Sequence, residues 1–212
     1  MAKQGARRPE TPGRRGRVSR KAKIVAATET LLRERGLAGV TTRAIAETVP
    51  CSEGAIYVHF HDRLELLLAL LADASPEMRE PLHKLDHQVG ESTPVKNLAA
   101  AAAGLQRFHD RVIPMLCALM MDQELRQRFT KSLQQQGKGP QRGIATLARY
   151  IEREQDLGRV AADVDARAAA AAIMAGSFFE AFTAQLFGST RRMNPKPTVK
   201  HAIALMLRDT MK

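Results

Sequence analysis

Tyr57, His59 and Arg63 fall within one seven-residue stretch, and each can donate a hydrogen bond to a phosphate oxygen. Upstream, Thr42 and Arg43 open a helical segment, where the helix dipole also favours an anion. Between the two groups stands Glu53, an acceptor of the opposite character. It can take a hydrogen bond from a cytosine amino group, or it can repel a duplex and restrict what binds. The chemistry on offer is recognition. No Ser-His-Asp order, glycine-rich phosphate loop or pair of carboxylates occurs at a telling spacing, so no residue is assigned a catalytic role and an enzyme is not expected.

The stretch that must position these side chains is TTRAIAETVPCSEGAIYVHF, residues 41–60. It reads as two short helices joined by a tight break. Thr42 is the expected N-cap of the first, its hydroxyl accepting from the next turn's backbone N–H groups. Ala46 is small enough to let a second helix cross closely. Pro50 ends the first helix, because it lacks an N–H and pushes Val49 out of the helical region. Ser52 caps the second helix, which buries Ile56 and Phe60 and turns Glu53, Ala55, Tyr57 and His59 outward. This is the helix-turn-helix layout, whose second helix enters a DNA major groove. A helix pair of this spacing also occurs as a plain core hairpin; the caps, Pro50, the aromatic cluster and the basic N-terminus favour DNA.

Residues 20–68 resemble the N-terminal domain of the TetR family of transcriptional regulators. The resemblance rests on TTRAIAE, on SEGAIYVHF, and on Asp62-Arg63-x-Glu65-Leu66-Leu67. It implies that Thr42, Tyr57, His59 and Arg63 contact phosphates. It also implies that Arg43, Glu53, Gly54, Ala55 and Val58 face base edges, with Ser52 at the head of the reading helix. Pro50 stands where the family commonly has the turn glycine, Cys51 where it has valine, and Arg63 where it has lysine; Glu53 is an uncommon choice. The family further implies a homodimer joined by its last two helices, a small-molecule cavity in a variable helical domain, and a repressor released from a palindromic operator.

The 212-residue chain carries a net charge of +11, unevenly spread. Residues 1–23 hold nine basic residues against Glu10 alone, so eight of the eleven net charges sit beside the motif. Such an arm adds salt-sensitive affinity without reading sequence; as a bare tail it would serve only solubility. Aromatics are 4% with no Trp, while alternating strand-like runs are missing, so the expected fold is all-α. Cys51 and Cys117 sit in unrelated contexts, which suits a reducing cytoplasm. The longest uncharged segment towards the C-terminus, 168–179, is 12 residues, short of the ~20 a membrane span needs.

Three parts are expected: a disordered basic arm (1–16), a helix-turn-helix domain (17–62), and a helical regulatory and dimerisation domain (63–212). Ser19 caps the first helix and Gly36 stops it. Asp62 caps a leucine-rich helix from Arg63 that joins the two domains. Pro76, Pro81 and the segment 90–94 should break the chain beyond that helix, and Pro114 should interrupt a helix begun at Pro94. Further helices are expected at 122–133, at 141–156 after the loop QQQGKGP, from Asp163 or Asp165 to about Leu186, and at 198–211. The alanines at 168–172, with Ala175 and Gly176, permit close helix approach, and the Val199–Leu207 stripe needs a partner; a homodimer through 165–187 and 198–211 would supply both, as would packing within one subunit.

Candidates to line an apolar effector cavity are Phe108, Met115, Leu119, Met120, Leu147, Tyr150, Met174, Phe178 and Phe182, each of which also suits ordinary core. His83 and His87 lie four apart, but no third ligand of matching geometry is present nearby, so neither metal nor cofactor is expected. Competing functions are a non-specific basic DNA-coating protein and a helical small-molecule carrier. Deleting residues 1–16 should weaken DNA binding for all sequences and flatten the dependence of affinity on salt. Binding titrations across a salt series measure this, and an unchanged slope would rule the arm out as a DNA contact.

Overall fold

A computed structural model describes residues 19–188, 202–205 and 207. Among these there are α-helices and one 3-10 turn, and no strand. The helices are α1 (Arg20–Arg35), α2 (Thr42–Thr48), α3 (Glu53–Tyr57), α4 (Arg63–Leu85), α5 (Pro94–Met120), α6 (Gln123–Gln135), α7 (Pro140–Asp156) and α8 (Ala166–Phe187). The basic arm lies outside the described residues. So does most of the helix expected at 198–211, of which 202–205 are helical, with Ile203 and Leu207 buried.

Local signals set most boundaries. Ser19 Oγ accepts from the Ala22 N–H at 3.1 Å, and α1 stops where Gly36 turns to φ 65° and donates its N–H to the Leu32 carbonyl. Asp122 Oδ1 caps α6 through the Leu125 N–H at 3.0 Å. Pro140 opens α7 at its first turn, so the preceding loop is shorter than QQQGKGP suggests. Asp165, not Asp163, caps α8, accepting from the N–H groups of Arg167 and Ala168 at 2.9 Å each.

The larger departure concerns the prolines. Neither Pro76 nor Pro81 breaks α4, and Pro114 does not interrupt α5. An internal proline strips the carbonyl four residues earlier of its partner. Two of the three carbonyls released here are met by another donor. Ser75 Oγ donates to the Ala72 carbonyl at 2.8 Å, which offsets Pro76. Arg33 Nη2, from α1, donates to the Asp110 carbonyl at 3.2 Å, which offsets Pro114. At Pro81 the deprived carbonyl is that of Glu77, and Gly104 of α5 packs directly onto this point. A Cβ on Gly104 would lie 2.7 Å from that oxygen and 2.4 Å from Pro81 Cγ.

The apolar residues form two cores, and α4 and α5 contribute to both. The first gathers Ile24, Leu31, Ile45, Ile56, Phe60, Leu67 and Leu70 with Val112, Met115, Leu119 and Phe129. The second gathers Leu82, Leu85, Leu98 and Leu105 with Leu147, Tyr150, Ile151, Ala170 and Ile173. The loop between α4 and α5 is pinned to the second core by buried polar contacts. Glu154 Oε1 accepts from the Gly90 N–H at 3.1 Å, and Oε2 lies 3.2 Å from Arg159 Nε. Asn97 Nδ2 reaches the Gln88 and Glu91 carbonyls and the Tyr150 hydroxyl, the last at 2.8 Å.

By length and composition α8 is apolar enough to cross a membrane. One face of it, with Ala169, Ala170, Ile173, Met174 and Ala181, is instead buried in the bundle. Replacing Gly104 by Ala should destabilise the protein by about 1–3 kcal/mol, because the close approach at Pro81 outweighs the gain in helix propensity. Urea denaturation measures this, and an unchanged or higher midpoint would show that α5 can move away freely.

Candidate nucleic-acid interface

Thr41, rather than Thr42, caps α2. Its backbone is extended (φ −118°, ψ 155°) and its Oγ1 accepts from the Ala44 N–H at 3.1 Å. The cap falls one residue earlier because the 3-10 turn Leu37–Gly39 ends there, with the Thr41 N–H bound to the Gly39 carbonyl. Thr42 is therefore helical, and its hydroxyl is released to donate to Glu53 Oε2 at 2.5 Å. At the other end Val49 is extended (φ −108°, ψ 113°), as a residue before proline must be.

Ser52 Oγ accepts from the Ala55 N–H at 3.3 Å and starts α3, which is only five residues long. Ile56 and Phe60 are buried beneath it, while Glu53, Gly54, Tyr57 and Val58 are exposed, Val58 to 78%. Ala55 and His59 are half-buried, so the outward face is narrower than alternation alone suggests. Arg43 is exposed and pairs with Glu47 at 3.1 Å, an i,i+4 contact that is cheap to open. Lys21 of α1 sits over the Phe60 ring, 5.5 Å from its centroid.

Asp62 caps α4 through the Glu65 N–H at 3.0 Å, and Glu65 Oε2 returns to the His61 N–H at 2.8 Å. The second Asp62 oxygen pairs with Arg128 of α6 at 2.5 Å. Burial works to raise the Asp62 pKa, but the Glu65 N–H and the Arg128 guanidinium outweigh it and hold it below the usual value.

An open cleft of about 310 Å³ lies between the motif and the start of α4. Thr42, Tyr57 and Arg63 all line it, so three side chains expected to contact phosphate share one surface depression. Thr41, His61 and Asp62 line it too. Sequence reasoning singled out Asp62 only as a helix cap and passed over Thr41 and His61; the capping pattern Asp62-x-x-Glu65 was the available signal for His61.

The nine residues expected at an effector cavity are not brought together. Met115 and Leu119 are buried in the first core, with Phe108 packed against it. Leu147, Tyr150 and Met174 belong to the second. Met120, Phe178 and Phe182 are exposed. Another surface cleft, about 280 Å³ and bounded by Pro76, Glu77, Glu80, Pro81, Lys84 and Arg107, includes none of them. A polar pair that sequence reasoning missed lies between α5 and α8: His109 Nδ1 is 3.1 Å from Ser177 Oγ. The Ser177 hydroxyl donates to the Met174 carbonyl at 2.8 Å, so it is the imidazole that donates to Ser177. Burial pushes His109 down to about 4, which keeps it neutral.

Residues 24–70 match the family profile described as "Bacterial regulatory proteins, tetR family". Over these residues the chain therefore carries an N-terminal domain of the tetR type. No curated protein matches it at a significant level. Among solved structures, a TetR-family transcriptional regulator from Rhodococcus sp., described as putative, superposes with a TM-score of 0.63 at 19% identity, over 89% of this chain and 98% of that one. The fatty acid degradation regulator FadR from Bacillus halodurans gives 0.63 at 16% identity, over 92% and 99%. PfmR from Thermus thermophilus, a TetR-family transcriptional regulator, gives 0.62 at 18%, over 89% and 99%. At these identities the likeness is one of fold. The helix-turn-helix domain followed by a helical body is thus a fold that these solved structures share over most of the chain.

Gly54 is not demanded by that fold, since a Cβ there would come no closer than 4.0 Å to its nearest neighbour, Ser52 Oγ. As a base-facing residue, the role expected from the resemblance, it would serve by leaving room outside. Gly54→Ala should leave stability equal or raise it by up to about 1 kcal/mol, while weakening DNA binding at least several-fold. Thermal unfolding and fluorescence anisotropy read the two effects separately, and unaltered DNA affinity would take Gly54 out of the interface.

Proposed function

We propose that the protein is a homodimeric, ligand-responsive transcriptional regulator, most simply a repressor, that leaves a palindromic operator when a small apolar molecule occupies its helical body. In this reading Thr42, Tyr57, His59 and Arg63 lie along the phosphates, and Arg43, Glu53, Gly54, Ala55 and Val58 face base edges. Ser52 fixes the start of the reading helix. The observation that carries the reading is the exposed, capped face of α3, mounted on a helix that runs unbroken into the second core.

Coupling between operator and effector needs a rigid route between the two domains, and three contacts offer one. Arg111 of α5 reaches Glu29 Oε2 of α1 and Asp73 Oδ2 of α4, both at 2.7 Å. Arg33 joins α1 to the Asp110 carbonyl, and Arg128 joins α6 to the α4 cap. The Glu29 hydrogen bonds chiefly, against some burial, raise the Arg111 pKa still further, so its charge is permanent. A ligand that prefers one arrangement of α5 and α6 by about 1–3 kcal/mol would change operator affinity roughly 5–150-fold.

Support for the dimer comes from α8, which leaves Phe178, Phe179, Phe182, Leu186 and Phe187 exposed. The Phe178 and Phe182 rings stack at 6.3 Å on this face. An apolar surface of this kind is ordinarily covered by a partner. Two copies would have to set their α3 helices about 34 Å apart, or a multiple of it, to meet successive major grooves.

Selecting bound oligonucleotides from a random pool tests the reading. An inverted repeat should emerge, protected in footprinting, and no two-fold-symmetric sequence under any condition would defeat it. Arg111→Ala should lower stability by about 1–3 kcal/mol, since two carboxylates lose their shared partner. It should also weaken operator binding, whereas Arg107→Ala, which removes an exposed pair with Glu77, should change neither by more than about 0.5 kcal/mol. Equal effects of the two substitutions in denaturation and binding titrations would remove Arg111 from the coupling route.

A further inference from the structure

Glu53 is an acid on the exposed face of a helix expected to meet a polyanion. Among the described residues it makes no ion pair. Arg43, the nearest cation in the sequence of the motif, is engaged by Glu47 instead. What Glu53 does have is the Thr42 hydroxyl, which crosses from α2 to donate to Oε2 at 2.5 Å. A carboxylate accepts only, and this bond uses one oxygen and fixes the orientation of the group. The other oxygen is left to accept from whatever lies over the exposed start of α3.

The major groove narrows the choice of donor. Guanine and the O4 edge of thymine present acceptors, which repel a carboxylate. Adenine presents its amino group beside the N7 acceptor, while cytosine presents an amino group with no acceptor next to it on its own edge. We propose that Glu53, held in place by Thr42, reads a cytosine in each half of the operator. The inference rests on the regulator reading above and names what its reading face selects.

It also alters the part played by Thr42. A hydroxyl has one proton, and here that proton is given to Glu53. Thr42 is therefore a positioning residue for the acid, not a donor to phosphate as the family resemblance implies. The same arrangement gives discrimination against other DNA, since over guanine or the thymine O4 edge the carboxylate meets acceptors, and over adenine an amino group flanked by the N7 acceptor.

The test is selection from a random pool with the full chain, run in parallel for the wild type, Glu53→Gln, Thr42→Val and Thr42→Ser. The wild type should enrich a symmetric site with cytosine preferred roughly 5- to 150-fold at one position of each half. Glu53→Gln should abolish that preference and shift it towards adenine, whose donor and acceptor match an amide, while raising affinity for unrelated DNA. Thr42→Val should blunt the cytosine preference and Thr42→Ser should restore it, with Thr42→Val adding nothing in the Glu53→Gln background. Thermal unfolding of each variant separates loss of reading from loss of fold. A symmetric site whose base preferences are the same for the wild type and Glu53→Gln would overturn this inference alone. Failure of the wild type to enrich any symmetric site would overturn the regulator reading with it.

Discussion

The guanidinium of Arg111 is the point at which three helices are held in one arrangement. Its planar fork meets Glu29 from α1 and Asp73 from α4, and its own helix is α5. Carboxylates at that junction would repel one another without it, so the contact orients the DNA-binding module as well as attaching it. A lysine could neutralise the charge but could not address both carboxylates with one rigid plane. Thr28, buried on α1 one residue away from Glu29, gives its hydroxyl to the Ile24 carbonyl and so is satisfied within its own helix.

That clasp matters because α4 is a continuous rod. A helix broken at Pro76 would decouple its two halves, and each would pack in its own core. At Pro76 the released carbonyl is met by Ser75, at Pro114 of α5 by Arg33, and at Pro81 the helix is packed tightly against Gly104. This is the part of the fold least legible in the sequence. Ser75, directly before Pro76, was a local clue. Arg33 lies 77 residues from the carbonyl it serves, and Gly104 comes from the next helix, so neither could be anticipated from spacing. Proline rules describe isolated segments, and tertiary partners overrode them here.

The ends of helices were legible, because a cap is a contact over three or four residues. Ser19, Gly36, Ser52 and Asp62 all act where the sequence puts them. Thr41 and Thr42 are the instructive exception. Both are threonines with a free choice of roles, and the 3-10 turn before them decides which becomes the cap. For the residues expected at an effector cavity the sequence is ambiguous for a different reason. Buried Met and Leu look alike whether they line a cavity or fill a core, and the chain does not say which until its helices are packed. The His109–Ser177 pair escaped notice because a lone histidine and a lone serine 68 residues apart carry no pattern.

A five-residue helix cannot sustain itself in water, since nucleation costs more than so few hydrogen bonds return. The order of α3 is borrowed from Ile56 and Phe60, which are anchored among residues of α1, α2 and α4. In the proposed reading, the sharpness with which this chain tells one target from another is thus a property of its interior as much as of its surface. A genetic screen for relaxed target choice would return conservative changes at Leu67 or Ile24 alongside changes on the reading face. Only a measurement of rigidity would tell the two kinds apart.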